Sequence, residues 1–251
     1  MPKSFTKLAL FSCAAVYSLY AALLVPAYEY IGCDIMLANT LWFDAVDILL
    51  QWTEFAGAAL VMATLTVALY HGGALKPCQS LFMKLGGILV LKYLVSVIAL
   101  SVVHGSAFDT TLDFGGYVLS LAIELAVFTL VAYLTWRYVT NKNATEKAQA
   151  KAAATLKTDA VAPENALPLP SPFRRSPLLR ILLIGVSVYT AIRAAAYLLN
   201  ELAFILMGFS FTAGDVPVTL LYFLLLVLLP GFLCYLLSYL FTNLLHRQYK
   251  K

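Results

Sequence analysis

Charged residues are scarce in this sequence. They make up only 12% of its 251 residues, whereas hydrophobic residues make up 62%. A soluble domain is roughly half apolar and about a quarter charged, so this chain has too little charge for a surface that faces water on all sides. The composition excludes an ordinary soluble protein. The net charge of +4 is therefore no sign of nucleic-acid binding, and we expect no nucleic-acid partner.

Cysteines are also few, and the common catalytic motifs are missing. No C-x-x-C pair or zinc-ligand spacing occurs among the four cysteines, which are Cys13, Cys33, Cys78 and Cys234. Such a set indicates neither a disulfide framework nor a metal centre. The patterns H-E-x-x-H, G-x-S-x-G and Walker A do not occur either. We expect no cofactor or metal, and an enzyme is the least favoured class of function.

Long apolar runs are what the sequence does contain. Six runs reach the roughly 20 residues that are needed to cross a bilayer. Because the runs are continuous rather than alternating, they favour helices over a β-barrel. We predict an all-α integral membrane protein with six transmembrane helices in three consecutive hairpins. The predicted spans are 7–27, 42–70, 80–103, 114–139, 178–209 and 216–245, with a kink at Pro230-Gly231 in the sixth.

These runs divide the chain into three parts. Residues 1–139 form two hairpins, 140–177 a linker, and 178–251 a third hairpin with a basic tail. The first half of the linker is rich in Ala and Lys and could extend the fourth helix, whereas its Pro-rich second half is typical of extended chain. A cleaved signal peptide stays open as an alternative for the first run. Lys3 and Lys7 precede this run and Val25-Pro26-Ala27 follows it, as in a signal peptide with its cleavage site.

Positive charge is distributed asymmetrically along the chain. All but two of the 17 Lys and Arg residues lie at the termini, between the second and third spans, or in and beside the linker. By the positive-inside rule, the termini and the linker are cytoplasmic. We therefore expect a multi-pass protein of the plasma membrane with the lipid bilayer as its surroundings.

Four charged residues lie near the midpoints of their predicted spans: Glu54, Lys92, Glu124 and Arg193. A charge at the centre of a bilayer costs at least about 2.5–3.5 kcal/mol. We therefore expect these side chains to face the protein interior, where they pair, become neutral or meet water.

Helical spacing extends these charges into polar stripes. On the second span, Asp47, Gln51 and Glu54 recur at helical intervals, and the fifth span carries a broad polar face around Arg193. The candidate ligand or ion pathway comprises Glu54, Lys92, Glu124, Arg193, Glu201, Asn200, Asp47, Gln51 and Tyr189.

Two functions from different classes fit these features. One is a transporter or permease-like component for a small polar or anionic ligand. In it Arg193, with Lys92, holds an anionic group while Glu54 or Glu124 counters that charge or carries a proton. The other is an accessory or scaffold protein whose midplane charges are structural ion pairs and whose linker binds a protein partner. A cavity lined by the charges favours the first, and dry ion pairs favour the second.

Overall fold

The computed structural model describes residues 2–33, 41–73, 75–104, 112–156, 177–206 and 215–250. Helix accounts for nearly all of these ranges, and no strand occurs in them. Six helices are long and apolar enough to cross a membrane, which confirms the predicted class and indicates a multi-pass membrane protein. In chain order, spans 1 to 6 are Lys3–Gly32, Leu41–Gly72, Lys76–Val103, Gly115–Glu146, Leu178–Leu202 and Val216–Tyr249. The hairpin arrangement stays a prediction.

Several helices extend beyond the predicted spans. The α-helices cover Lys3–Leu19, Val25–Cys33, Leu41–Gly72, Gln79–His104, Leu112–Leu156, Pro177–Leu206, Asp215–Phe223 and Leu229–Lys250, and a 3-10 turn covers Lys76–Cys78. The largest difference is in the fourth helix, which continues to Leu156 rather than ending at residue 139. Hydropathy falls after residue 139, but the Ala and Lys residues that follow are strong helix formers. The helix therefore takes in the first half of the predicted linker, and residues 157–176 lie outside the described ranges.

Two π-helical turns interrupt spans 1 and 6. They cover Tyr20–Leu24 and Leu224–Leu228, and each ends two residues before a proline, Pro26 or Pro230. Proline has no N–H to donate, and its ring crowds the carbonyl group four residues earlier, so a regular α-helix is disturbed there. Local π-helical geometry accommodates this disturbance. In span 6 the π turn lies just before Pro230, and the kink predicted at Pro230-Gly231 stays a prediction.

Span 2 is the central helix of the bundle. The most apolar part of span 2 is 78% buried, against 28–39% for the other spans, and it packs on spans 1, 4, 5 and 6. Small residues such as Gly57, Ala58 and Ala59 let the neighbouring helices approach closely. The ring of Tyr17 lies against Gly57 with no room for a Cβ atom there. Glu54, one turn before Gly57, is carried into the interior by this packing.

Span 1 contributes one face to the same core. Phe5, Ala9, Cys13 and Tyr17 follow each other at intervals of four residues and are buried. Residues at this interval lie on one side of a helix. Cleavage after residue 27 would remove this packed face from the protein.

Candidate functional site

The four charged residues at mid-span lie together in the structure. The Lys92 Nζ atom is 2.8 Å from Glu124 Oε1 and 3.5 Å from Glu54 Oε1. The other carboxylate oxygen of Glu54 is 2.8 Å from Arg193 Nη2. Spans 2, 3, 4 and 5 each contribute one residue, and negative and positive charges alternate along this chain of contacts. We call these four residues the charge cluster.

Three members of the charge cluster are deeply buried. Lys92, Glu54 and Glu124 are 2%, 4% and 2% exposed. A buried charge is tolerated when an opposite charge and further polar contacts compensate for its lost hydration. Lys92 meets this condition with two carboxylates, and it also donates to the Tyr93 hydroxyl oxygen at 3.4 Å. The inner part of the cluster therefore consists of direct ion pairs.

Three tyrosine rings surround the Lys92 ammonium group. Its Nζ atom lies 5.0, 4.7 and 4.5 Å from the ring centroids of Tyr17, Tyr20 and Tyr93. At these distances the negative face of an aromatic ring attracts a cation. Two of the rings come from span 1, so this helix completes the surroundings of the buried lysine.

Some polar oxygen atoms at the cluster make no hydrogen bond within the described residues. They are Glu124 Oε2 and the hydroxyl groups of Tyr17 and Tyr189, all of which are buried. A carboxylate has two oxygen atoms that accept hydrogen bonds, and only one of those in Glu124 is engaged with Lys92. The second oxygen gives this residue the capacity to accept a proton.

Arg193 differs from the other members of the cluster because it reaches an open space. Its side chain is 26% exposed, and its Nη2 atom donates to the Gln51 Oε1 atom as well as to Glu54. Beyond it lies a cavity of about 420 Å³, which we call the polar cavity. One face of the arginine therefore belongs to the buried cluster and the other to the polar cavity.

The lining of the polar cavity comes from four spans. It is formed by the C-terminal parts of spans 1 and 5 and by the N-terminal parts of spans 2 and 6. The lining residues are Tyr28, Asp47, Gln51, Arg193, Ala196, Tyr197, Asn200, Glu201, Val218, Thr219, Tyr222, Leu226 and Val227. Along spans 2, 5 and 6 the lining residues recur at intervals of three or four, in places as adjacent pairs, so each of these helices presents one face to the cavity.

The chemistry of this lining is mixed. Asp47 and Glu201 supply carboxyl groups, Arg193 supplies a guanidinium group, and amides and tyrosine hydroxyls lie between them. The Tyr197 hydroxyl also donates to the Thr219 carbonyl oxygen at 3.4 Å, which links spans 5 and 6 at the cavity wall. Such a set offers hydrogen-bond donors and acceptors to a ligand, together with charges of both signs.

The predicted site residues fall into three groups. Five line the polar cavity, namely Asp47, Gln51, Arg193, Asn200 and Glu201. Glu54, Lys92 and Glu124 lie behind Arg193 in the buried part of the charge cluster and do not line the cavity. Tyr189 is 1% exposed and packs edge-to-face on Phe55 at a centroid distance of 5.2 Å, so it belongs to the core. Whether any of these residues serves a ligand stays a prediction.

Sequence reasoning missed the contribution of spans 1 and 6 to the site. Tyr17 and Tyr20 around Lys92, and Thr219 and Tyr222 in the cavity lining, were not among the candidates. Both pairs are three residues apart, which places each pair on one helix face. That spacing was the available signal, but tyrosines in membrane helices are more often attributed to the interfacial belt.

No metal centre is evident in the described ranges, where no three His, Cys, Asp or Glu side chains converge as ligands would. Comparison of the chain with protein-family models, with curated proteins and with solved structures finds no match. The inference of function therefore depends on the geometry of the charge cluster and the polar cavity.

Proposed function

We propose that this protein is a transporter or permease-like membrane component that binds a small polar or ionic ligand in the polar cavity. The observation that carries the proposal is the position of Arg193, which connects a cavity of about 420 Å³ to the buried charges. Ligand sites have volumes of about 300–1,000 Å³. Substrate sites of secondary transporters lie near the middle of the bilayer, and intramembrane charges mark such pathways.

The ligand is held by groups of both signs. Arg193 is the donor for an anionic group, as predicted from sequence, although it already shares its charge with Glu54. Asp47 and Glu201 are the acceptors for an amine or hydroxyl group. Lys92 contributes indirectly, because its ammonium group is held by two carboxylates behind the cavity wall. The ligand therefore carries an anionic group together with hydrogen-bond donors.

The charge cluster couples ligand binding to a change in the interior. An anionic group at Arg193 competes with Glu54 for the guanidinium group, and Glu54 then depends more on Lys92. Lys92 in turn shifts away from Glu124, whose second oxygen already makes no hydrogen bond within the described residues. Uptake of a proton by Glu124 compensates for the lost ion pair, because a buried carboxylate without a partner favours its neutral form.

The same proposal assigns an orientation. The distribution of Lys and Arg puts the termini and the 140–177 linker in the cytoplasm of a plasma-membrane protein. The polar cavity is lined by the ends of the spans that lie away from the termini, and it then faces the outside. Cysteine accessibility in sealed cells measures this: Thr219→Cys in a variant without the native cysteines should react with a membrane-impermeant maleimide added from outside. Labelling only after the cells are opened would contradict the orientation.

The ligand is sought first by binding. The purified protein is screened in detergent for a rise in unfolding temperature with soluble probes, namely inorganic phosphate, simple amines, carboxylates and phosphoethanolamine. A stabilising probe that carries an amine should lose its effect in Asp47→Asn and Glu201→Gln but keep it in Glu146→Gln, whose side chain is 60% exposed on the fourth helix. Equal stabilisation of all four proteins would place binding elsewhere and contradict the proposal.

Transport is then measured in proteoliposomes with the probe that binds. Arg193→Ala and Glu124→Gln should insert normally and lose uptake, the first because the ligand loses its anchor and the second because the proton-accepting group is gone. Full uptake by both variants would exclude these residues from a transport mechanism.

An accessory or scaffold role is the second candidate, and the direct ion pairs of Lys92 favour it. In that case the charges only hold the bundle together, and a protein partner binds the linker, of which residues 157–176 lie outside the described ranges. Lys92→Glu combined with Glu124→Lys should then recover folding that each single change destroys. Deletion of residues 157–176 should then remove a co-purified partner without changing the stability of the protein measured in the absence of ligand. That result would favour this role.

A further inference from the structure

A second cavity lies beside the polar cavity and has the opposite character. It has a volume of about 300 Å³ and is formed by spans 2 and 6. No charged side chain lines this space, which we call the apolar groove. Its lining residues are Trp52, Phe55, Ala56, Pro230, Leu233, Cys234, Leu236, Leu237 and Leu240.

The lining residues of the polar cavity and of the apolar groove follow one another along span 6. Tyr222 and Leu226 line the cavity, and Pro230, Leu233 and Leu237 line the groove at the same intervals of three or four residues. This spacing keeps all of them on one side of the helix. From Thr219 to Leu240 the stripe is about 30 Å long at 1.5 Å per residue. One elongated ligand can therefore contact both spaces.

On span 2 the lining changes from polar to apolar between two adjacent residues. Gln51 lines the polar cavity, and the next residue, Trp52, lines the apolar groove. Trp52 Nε1 donates to the Leu225 carbonyl oxygen at 2.9 Å, and Leu225 lies in the π turn before Pro230. A tryptophan with one satisfied N–H and a large apolar ring suits a boundary between polar and apolar surroundings. Trp52 therefore lies in the groove lining directly after a residue that lines the polar cavity.

The groove also adjoins the lipid-facing surface. Leu236 and Leu240 line it and are 42% and 54% exposed. In a six-span membrane protein, apolar side chains that are exposed at this depth face acyl chains. A chain from the bilayer can enter the groove sideways without crossing a polar surface.

We propose that the ligand of the polar cavity is an amine-bearing phospholipid whose head group occupies the cavity and whose acyl chain lies in the apolar groove. This rests on the proposed function, since it takes the polar cavity as the ligand site. The phosphate group is matched to Arg193 and the ammonium group to Asp47 and Glu201, while the chain fills a space that a small soluble ligand leaves open.

Trp52 provides a direct probe of this arrangement. Trp42→Phe and Trp136→Phe leave Trp52 as the only tryptophan, and lipids with brominated acyl chains quench tryptophan fluorescence on contact. The protein is reconstituted in phosphatidylcholine vesicles with increasing fractions of brominated phosphatidylethanolamine, phosphatidylcholine or phosphatidylglycerol. The amine-bearing lipid should reach half-maximal quenching at about a tenfold lower mole fraction than the other two.

Matched variants separate a specific site from random contact with lipid. Asp47→Asn with Glu201→Gln should abolish the preference for the amine-bearing lipid, whereas Glu146→Gln should keep it. A protein that retains only Trp136, which does not line the groove, should be quenched equally by all three lipids. Ala56→Leu, which fills part of the groove, should weaken quenching of Trp52 but leave stabilisation by soluble phosphoethanolamine unchanged.

The outcomes distinguish this inference from the proposed function. Equal quenching of Trp52 by the three lipids, or a preference for the anionic one, overturns the lipid proposal. If soluble probes still stabilise the protein through Asp47 and Glu201, the proposed function stands with a different ligand. If neither lipid nor soluble probes depend on these two residues, both proposals fail. Native mass spectrometry of the unaltered protein, released from the same mixed vesicles, should show retained phosphatidylethanolamine, and its absence from the spectra counts against the lipid proposal.

Discussion

In the buried part of the charge cluster, Glu54, Lys92 and Glu124 are held within 3.5 Å of a partner of opposite charge and are nearly inaccessible. In the polar cavity beside it, Asp47 and Glu201 face a space large enough for a ligand. Spans 2 and 5 contribute to both regions, and Arg193 touches both. The same residue types thus stand in two environments, because the helices pack closely around the ion pairs in one region and leave a cavity of about 420 Å³ in the other.

The largest effect is expected for Lys92→Ala, which breaks the buried region. It leaves Glu124 without its cation and leaves Glu54 with Arg193 alone. Removal of one partner from a buried ion pair costs roughly 3–5 kcal/mol. The yield of monodisperse protein on fluorescence-detected size-exclusion chromatography should fall sharply. A variant as stable as the unaltered protein would mean that Glu124 is compensated by some group other than Lys92.

Arg193→Ala should have an intermediate effect, since Arg193 stands between the two regions. Glu54 loses one ion pair, but it keeps Lys92, and water can reach it through the polar cavity. We expect a loss of stability on the order of 1–3 kcal/mol, as for an unsatisfied buried acceptor, measured as a fall in unfolding temperature in detergent. Arg193→Lys should recover only part of it, because the shorter lysine side chain does not place its ammonium group where the Arg193 Nη2 atom contacts both Glu54 and Gln51.

Trp52→Phe tests the boundary between the polar cavity and the apolar groove. It keeps the aromatic bulk and removes the hydrogen bond to the Leu225 carbonyl oxygen. The loss should be about 1 kcal/mol, as for one hydrogen bond. This loss of stability is measured by denaturation, monitored through the intrinsic fluorescence of the remaining tryptophans, with Trp136→Phe as the control. An equal loss of stability in the two variants would contradict a stabilising role for the hydrogen bond to Leu225.

Asp47→Asn and Glu201→Gln should change stability least, by less than about 0.5 kcal/mol, as for substitutions outside packed networks. Their effect should instead be seen as lost ligand stabilisation in the thermal assay above. In Lys92→Ala, by contrast, we expect loss of stability to be the main effect. Destabilisation of Asp47→Asn as large as that of Lys92→Ala would remove the distinction between the two regions.

The sequence was a good guide to the depth of the charges and a poor guide to their partners. Run length and the cost of charge in lipid were sufficient to place Glu54, Lys92, Glu124 and Arg193 at mid-span and facing inward. They were not sufficient to show that Lys92 contacts both glutamates while Arg193 contacts only Glu54. Two acidic and two basic residues at one depth allow several pairings, and only the rotation and distance of the helices select one.

Helix ends and irregularities were also only partly predictable. The fourth helix extends to Leu156 because helix propensity continues after hydropathy has fallen, and hydropathy was the property used to place its end. A disturbance was predicted at Pro230 but not at Pro26, and π turns precede both. The bond from Trp52 to Leu225 was not predictable, because it depends on a neighbouring helix. The predicted stripe of Asp47 and Gln51 does line the polar cavity, because helical spacing is a local property.

By itself the sequence determined that this chain is a helical membrane protein with six spans and that four of its charged residues lie near the middle of their spans. Hydropathy, run length and helical period are local properties, and each is complete within one span. Only the tertiary structure decided which charges pair, which tyrosines surround Lys92, and that spans 2 and 6 help to line both a polar cavity and an apolar groove. Those features join residues far apart in the chain, such as Gln51 and Arg193 at a separation of 142 residues, and they arise from how the helices pack.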